Sequence, residues 1–245
     1  MQDLEKYILR IADSALILSH RLSEWCSNGP TLEEDIALSN ISLDLLGQSN
    51  SLLEYCANIN GKITADDLAF KRNEREFYNF QICEQENGHF GDTIIRQFLF
   101  DSYTLLFFQK LSESEDETLS AIAVKSIKEI KYHLRHSSNW VIRLGDGTSL
   151  SKEKIQDSLN RIWKYTGEFF EIDELDIKMY KNKIGVDVSK LKNDWNDIIN
   201  DTFEKAKIKR PDDGHMMTGS KKGIHTEFLG KILSEMQYLP RAYPD

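Results

Sequence analysis

Residues Thr31–Ile59 read TLEEDIALSNISLDLLGQSNSLLEYCANI, and this stretch decides the fold class. Thr31 stands three residues before Glu34, the spacing of a capping box in which hydroxyl and carboxylate satisfy backbone N–H groups at a helix start. Ile36, Leu43, Leu46 and Leu53 follow at helical spacing, and Asn60-Gly61 supplies a stop. Upstream, Leu4, Ile8, Ile11, Ala15, Leu18, Leu22 and Trp25 step by three or four, which predicts a first amphipathic helix ending before Asn28-Gly29-Pro30. Three of the four prolines (Pro211, Pro240 and Pro244) fall near the end of the chain, so long helices run unbroken through the rest.

Downstream, residues 60–90 are polar and broken, with one short helix predicted at Asp66–Phe77; they are too long for a turn and read as a crossover. Ile95, Phe98, Leu99, Leu106, Phe107 and Phe108 predict a third long helix from Asp92 to the acidic stretch Ser112–Glu117, and a fourth runs from about Glu117 to Leu144. Two short connections around one long crossover give the topology of a ferritin-like four-helix bundle. Further helices are predicted at about Lys152–Phe170, Val188–Lys207 and Ile224–Leu239, and the whole chain, 1–245, reads as one all-α domain.

A chain of 245 residues, 40% hydrophobic, buries about 70% of its unfolded surface, enough for a core without staples. Forty acidic against 31 basic residues give a net charge of −9, which argues against nucleic acid or an anionic membrane as partner. Cys26, Cys56 and Cys83 show no paired spacing and are expected as buried free thiols. The charged start, Gln2-Asp3-Leu4-Glu5-Lys6, and the lack of any long apolar run predict a soluble, cytoplasmic protein.

Ferritin-like di-iron sites take a carboxylate from each of two helices and Glu-x-x-His from each of the other two, because residues three apart share a helix face. Tested against that template, the second helix offers Asp44-Leu45-Leu46-Gly47, a carboxylate with glycine in the imidazole position. The fourth offers Ile130-Lys131-Tyr132-His133, an imidazole with isoleucine in the carboxylate position. The expectation is a degenerate site without metal. Glu129 with His133 at i,i+4 keeps the alternative of an independent ferritin-like di-iron oxidase or iron-binding protein open.

A polar core network of Asp13, Asn40, Asp44 and Gln48 with Arg96, Lys125 and His133 is expected in place of the metal, Arg96 or Lys125 acting as substitute cation. The same stripe on the second helix also reads as facing a partner or water. The aromatics Phe98, Phe100, Tyr103, Phe107 and Phe108 exceed what one bundle core readily hides and predict a large helical interface. No nucleophile elbow, phosphate loop or dinucleotide fingerprint occurs, so nothing in the residues supports catalysis by this chain.

Three runs carry a specific likeness: Leu43-Asp44-Leu45-Leu46-Gly47-Gln48; Lys125 to Arg135; and Lys221-Lys222-Gly223-Ile224-His225-Thr226-Glu227 leading to Glu235-Met236-Gln237-Tyr238-Leu239. Together with Arg21-Leu22-Ser23-Glu24-Trp25-Cys26 they span nearly the whole chain, which resembles the C-type structural subunits of bacterial phenylacetyl-CoA epoxidases. That resemblance implies a non-catalytic component of a multicomponent monooxygenase in aerobic phenylacetate degradation. A related A-type subunit would carry the di-iron centre, a flavin and iron–sulfur reductase would supply electrons, and this chain itself would hold no cofactor. It further implies that two segments lie near the CoA thioester: Glu76, Phe77, Tyr78 and Asn79, and Ile177, Lys178 and Met179. Phe77, Asn79 and Ile177 carry the match there. An aromatic beside an amide suits adenine or pantetheine, and Lys178 a CoA phosphate.

Overall fold

The computed structural model describes residues 2–243; Met1, Pro244 and Asp245 lie outside the described residues. These residues hold helices and no strand, the all-α architecture of a ferritin-like helical protein. The chain divides into two compact units, Met1–Glu86 with Gly219–Asp245, and Asn87–Thr218.

In the first unit α1 (Asp3–Ser23) and α2 (Leu32–Asn60) form a long hairpin. Its antiparallel sense follows from pairs whose numbers rise against each other: Ser42 Oγ donates to the Ser19 carbonyl at 2.7 Å, and Asn60 Nδ2 to the Glu5 carboxylate at 2.7 Å. Thr31 caps α2 as its spacing requires, its Oγ1 accepting from the Glu34 N–H, and Gly61 ends it at φ 71°. The core face of α2 differs from the sequence expectation. Ile36, Leu43 and Leu46 are exposed, whereas Ala37, Leu38, Ile41, Leu45, Leu52, Leu53 and Cys56 are buried. Apolar residues occupy both sides of this helix, so periodicity alone does not say which side is inward. The predicted helix at Asp66–Phe77 is instead α3 (Ala65–Phe70), followed by a 3-10 turn at Glu74–Glu76.

In the second unit α4 (Phe90–Leu111) and α5 (Glu117–Gly145) form the other antiparallel hairpin, with Phe90 edge-on to Trp140 at 5.0 Å and Ser120 Oγ donating to the Ser112 carbonyl at 2.7 Å. Then come α6 (Ser149–Ile162), a 3-10 stretch at Trp163–Phe170, α7 (Glu174–Lys181) and α8 (Lys192–Ala206). Back in the first unit, α9 (Glu227–Met236) and α10 (Tyr238–Ala242) close the chain.

The aromatics of α4 do not form an exposed patch: Phe98, Phe100, Tyr103, Phe107 and Phe108 are all buried within this chain. Phe98 and Tyr103 are met by rings from beyond α5, and Phe107 packs on Tyr103 and Phe108 within α4. Tyr103 stacks on Phe169 at 4.7 Å, Phe170 and Trp163 meet Trp195 at 5.4 and 5.7 Å, and Phe98 packs on Phe203. Trp195 anchors the cluster and donates its indole N–H to the Leu99 carbonyl at 3.3 Å. Among the described residues no helix is long and apolar enough to cross a membrane. Of the cysteines, Cys56 and Cys83 are buried but Cys26, in the turn after α1, is exposed, which corrects the expectation of three buried thiols. Burial pushes the Cys56 thiol up to about 11.

Two outcomes follow. Trp195→Ala should cost about 3–5 kcal/mol, measured by urea unfolding, because it empties the centre of a ring cluster. A thiol reagent at neutral pH should modify Cys26 rapidly in the native chain and reach Cys56 and Cys83 only on unfolding.

Candidate functional site

The segment Glu76–Asn79 is held against α1 by one buried ion pair. Arg72 sends both terminal nitrogens to the Asp13 carboxylate, at 2.5 and 3.0 Å, with Asp13 fully buried. The same guanidinium donates to the Glu76 carbonyl at 2.8 Å and to the Leu68 carbonyl, and lies 4.0 Å over the Phe77 ring. Asp13 also accepts the Tyr78 N–H at 2.9 Å, and Ser14 Oγ the Phe80 N–H at 3.2 Å. A bidentate Arg–carboxylate pair with its remaining lone pairs filled is the arrangement that withstands burial.

The seven residues implied by the resemblance, four in this segment and three on α7, divide by exposure. Phe77 and Asn79 are fully buried; Asn79 Nδ2 donates to the Phe80 carbonyl at 3.1 Å while its Oδ1 has no hydrogen-bond partner. An unfilled buried acceptor costs about 1–3 kcal/mol. Tyr78 is half-buried, with the Lys6 ammonium 5.0 Å over its ring, and burial raises its hydroxyl pKa. Glu76 is exposed and accepts the Asn73 N–H at 2.7 Å. In the other unit, on α7, Ile177 and Lys178 are exposed and Met179 is buried. The two groups belong to different units.

The residues tested against the metal template lie as follows. In the first unit Asp44 is half-buried, Gly47 is exposed with open space where a Cβ would stand, Gln48 is buried and Asn40 is exposed. In the second, Ile130 and His133 are buried on α5, Arg96 is fully buried and donates to Asn87 Oδ1 at 2.7 Å, and Lys125 is exposed. Asn40 and Lys125 are therefore not core residues. The cation beside Asp13 is Arg72, from the crossover, a residue the helical spacing gave no reason to select.

Sequence reasoning also missed Asp101. This α4 carboxylate is buried beside His133, accepting from Gln97 Nε2 at 2.6 Å and from Ser137 Oγ at 2.8 Å. Burial raises its pKa to about 6, against the opposing pull of His133 and the two hydrogen bonds. Its only signal in the sequence is an aspartate one helical turn after Gln97 in an otherwise apolar run. Among the described residues no group of three or more His, Cys, Asp or Glu is placed to hold a metal ion.

The whole chain, residues 1–245, matches the model of a family described as "Phenylacetic acid catabolic protein". The chain belongs to this family. Within the phenylacetic acid catabolic family it is 46% identical over 244 residues to the C subunit of 1,2-phenylacetyl-CoA epoxidase from Escherichia coli (strain K12), covering 100% of this chain and 98% of that relative.

The Asp101 pocket makes a prediction with a definite sign. A carboxyl raised from 3.8 to about 6 in the folded state stabilises the fold below pH 4 relative to neutral pH, and that contribution is lost as pH rises through 6. Asp101→Asn removes the titration. Relative to wild type, the variant should gain on the order of 3 kcal/mol between pH 4 and pH 7 in urea unfolding; equal pH dependence of the two proteins would show that Asp101 is not a buried titrating group.

Proposed function

We propose that this chain is the structural, non-catalytic subunit of a multicomponent phenylacetyl-CoA 1,2-epoxidase, acting as one ferritin-like domain in the cytoplasm during aerobic phenylacetate degradation. The observation that carries the proposal is full-length identity of 46% with a protein named as the C subunit of that enzyme. The complex inserts one oxygen atom of O₂ across the ring of phenylacetyl-CoA. The di-iron centre belongs to the A-type partner, and a flavin and iron–sulfur reductase delivers the electrons.

The interior chemistry of each unit supports the assignment. Asp13 is committed to Arg72 and the Tyr78 N–H, Asp101 to Gln97 and Ser137, and Gly47 and Ile130 offer no donor atom. Carboxylates satisfied by protein donors do not need a cation, and ligands must be free and correctly spaced to bind one. Within the first unit the exposed Glu76 and the half-buried Tyr78 are the residues of Glu76–Asn79 open to a CoA carrier, above the buried Phe77 and Asn79; within the second, Ile177 and Lys178 are open on α7 and Met179 is buried.

The surface of α2 supports an A-type partner. Leu32, Ile36, Leu43 and Leu46 are 73, 51, 63 and 43% exposed on one side of the helix. From Ile36 to Leu53 the only charged residue is Asp44, in a chain that is 29% charged. Charge depletion around exposed aliphatics is the composition of an interface core, and the open space at Gly47 admits a second helix closely. The occupant we assign is an apolar helix of the A-type subunit.

Ile36→Glu with Leu43→Glu should leave the isolated chain's helicity and stability within about 0.5 kcal/mol of wild type, since both side chains are exposed. The double variant should fail to co-elute with a co-expressed A-type subunit in gel filtration at micromolar concentration, where wild type does. Co-elution of the variant, or self-association of wild type through this face, would overturn the docking assignment. Metal analysis of the separated subunits from iron-supplemented cells should place iron with the partner; about two iron atoms per copy of this chain would overturn the non-catalytic reading.

A further inference from the structure

The run Lys221–Glu227 lies across the segment Asn73–Gln85 inside the first unit, and nearly every residue of its centre makes a specific contact there. Gly223 adopts φ 69° with its backbone against the Arg75 carbonyl, where a Cβ would collide. The Ile224 carbonyl accepts from Gln81 Nε2 at 3.1 Å. His225 Nε2 lies 2.8 Å from the Phe77 carbonyl oxygen, and its Nδ1 lies 3.5 Å from Glu84 Oε1, both side chains fully buried. The Thr226 N–H donates to the same Glu84 Oε1 at 3.3 Å. From α1, Arg21 Nε and a terminal nitrogen both donate to the Glu84 backbone carbonyl, at 3.1 and 2.8 Å.

Proton positions follow from these partners. A carbonyl oxygen carries no hydrogen, so the contact to Phe77 requires a hydrogen on His225 Nε2. If that were the imidazole's only hydrogen, the Nδ1 lone pair would face a buried carboxylate. The contact becomes attractive when one further proton lies between Nδ1 and Oε1, on either atom, which leaves the pair with no net charge in a site without water access. Burial favours keeping that proton, since it raises the Glu84 carboxyl pKa against the opposing effect of His225.

We propose that Glu84 and His225 are a positioning pair that shares one buried proton and clamps the backbone of Phe77–Asn79 in place for the CoA carrier. The clamp stands on the geometry; its consequence for substrate rests on the reading of Phe77–Asn79 given under Proposed function. Neither residue touches the substrate. His225 grips the carbonyl of Phe77, Asp13 and Ser14 grip the N–H groups of Tyr78 and Phe80, and the segment is thereby held from the C-terminal strap on one side and from α1 on the other.

The test uses His225→Gln and Glu84→Gln in the full chain. Glutamine at 225 can still donate to Phe77 but has no link to Glu84; glutamine at 84 can still accept from Thr226 but leaves Nδ1 either bare or charged without a counter-charge. Hydrogen exchange of the Tyr78 and Phe80 amides should accelerate about tenfold or more in both variants, with α5 amides unchanged. Unchanged exchange at Tyr78 and Phe80, or an equal acceleration throughout α5, would overturn the clamp. Should His225→Gln fail to fold, the near-isosteric Glu84→Gln decides the same question. In the assembled epoxidase both variants should raise the KM for phenylacetyl-CoA about threefold or more with kcat little changed. Faster exchange with an unchanged KM would leave the clamp standing and overturn the carrier contact of Phe77–Asn79.

Discussion

The first unit depends on the pair between Asp13 and Arg72. A carboxylate at the centre of α1 would be prohibitive in an apolar interior, and it is tolerated because a guanidinium from the crossover fills it bidentately while a backbone N–H fills what remains. The consequence runs outward: Arg72 can reach Asp13 only if the chain after α3 turns back onto α1, and that turn delivers Phe77, Tyr78 and Asn79 to their positions. Removing either partner would leave a buried charge uncompensated, at a cost of about 3–5 kcal/mol. The pair thus ties a long polar connection to α1.

The second unit solves a similar problem differently. Asp101 has no guanidinium against it; neutral donors and His133 surround it, and its pKa rises to about 6. One unit therefore neutralises its buried aspartate with a fixed charge and the other partly with a proton. In both cases donors from the protein itself fill the buried carboxylate.

Helix α2 has apolar residues on both its inward and its outward side. Its inward leucines and isoleucine close the hairpin with α1, and its outward Leu32, Ile36, Leu43 and Leu46 remain uncovered along a stretch almost free of charge. By contrast, the aromatics of α4 are all buried within this chain, Phe98 and Tyr103 against rings from beyond α5. Exposed apolar surface, not aromatic content, is therefore what distinguishes α2 from α4.

The sequence by itself determined the helical class, the four long helices and their ends, because caps, stops and a 3.6-residue period are local properties written into neighbouring residues. The resemblance read from its motifs reached the family as well. It did not determine which side of α2 faces inward, since apolar residues stand on both sides and only packing against α1 chooses between them. Nor could it select Arg72 for Asp13, 59 residues away, or His225 for Glu84, across more than half of the chain. Asn40 and Lys125 share the polar character of core residues yet are exposed, and Cys26 has the chemistry of a buried thiol yet lies in an open turn. Those choices belong to the tertiary structure, because the partner of a buried polar group is fixed by how distant segments meet and not by spacing along the chain.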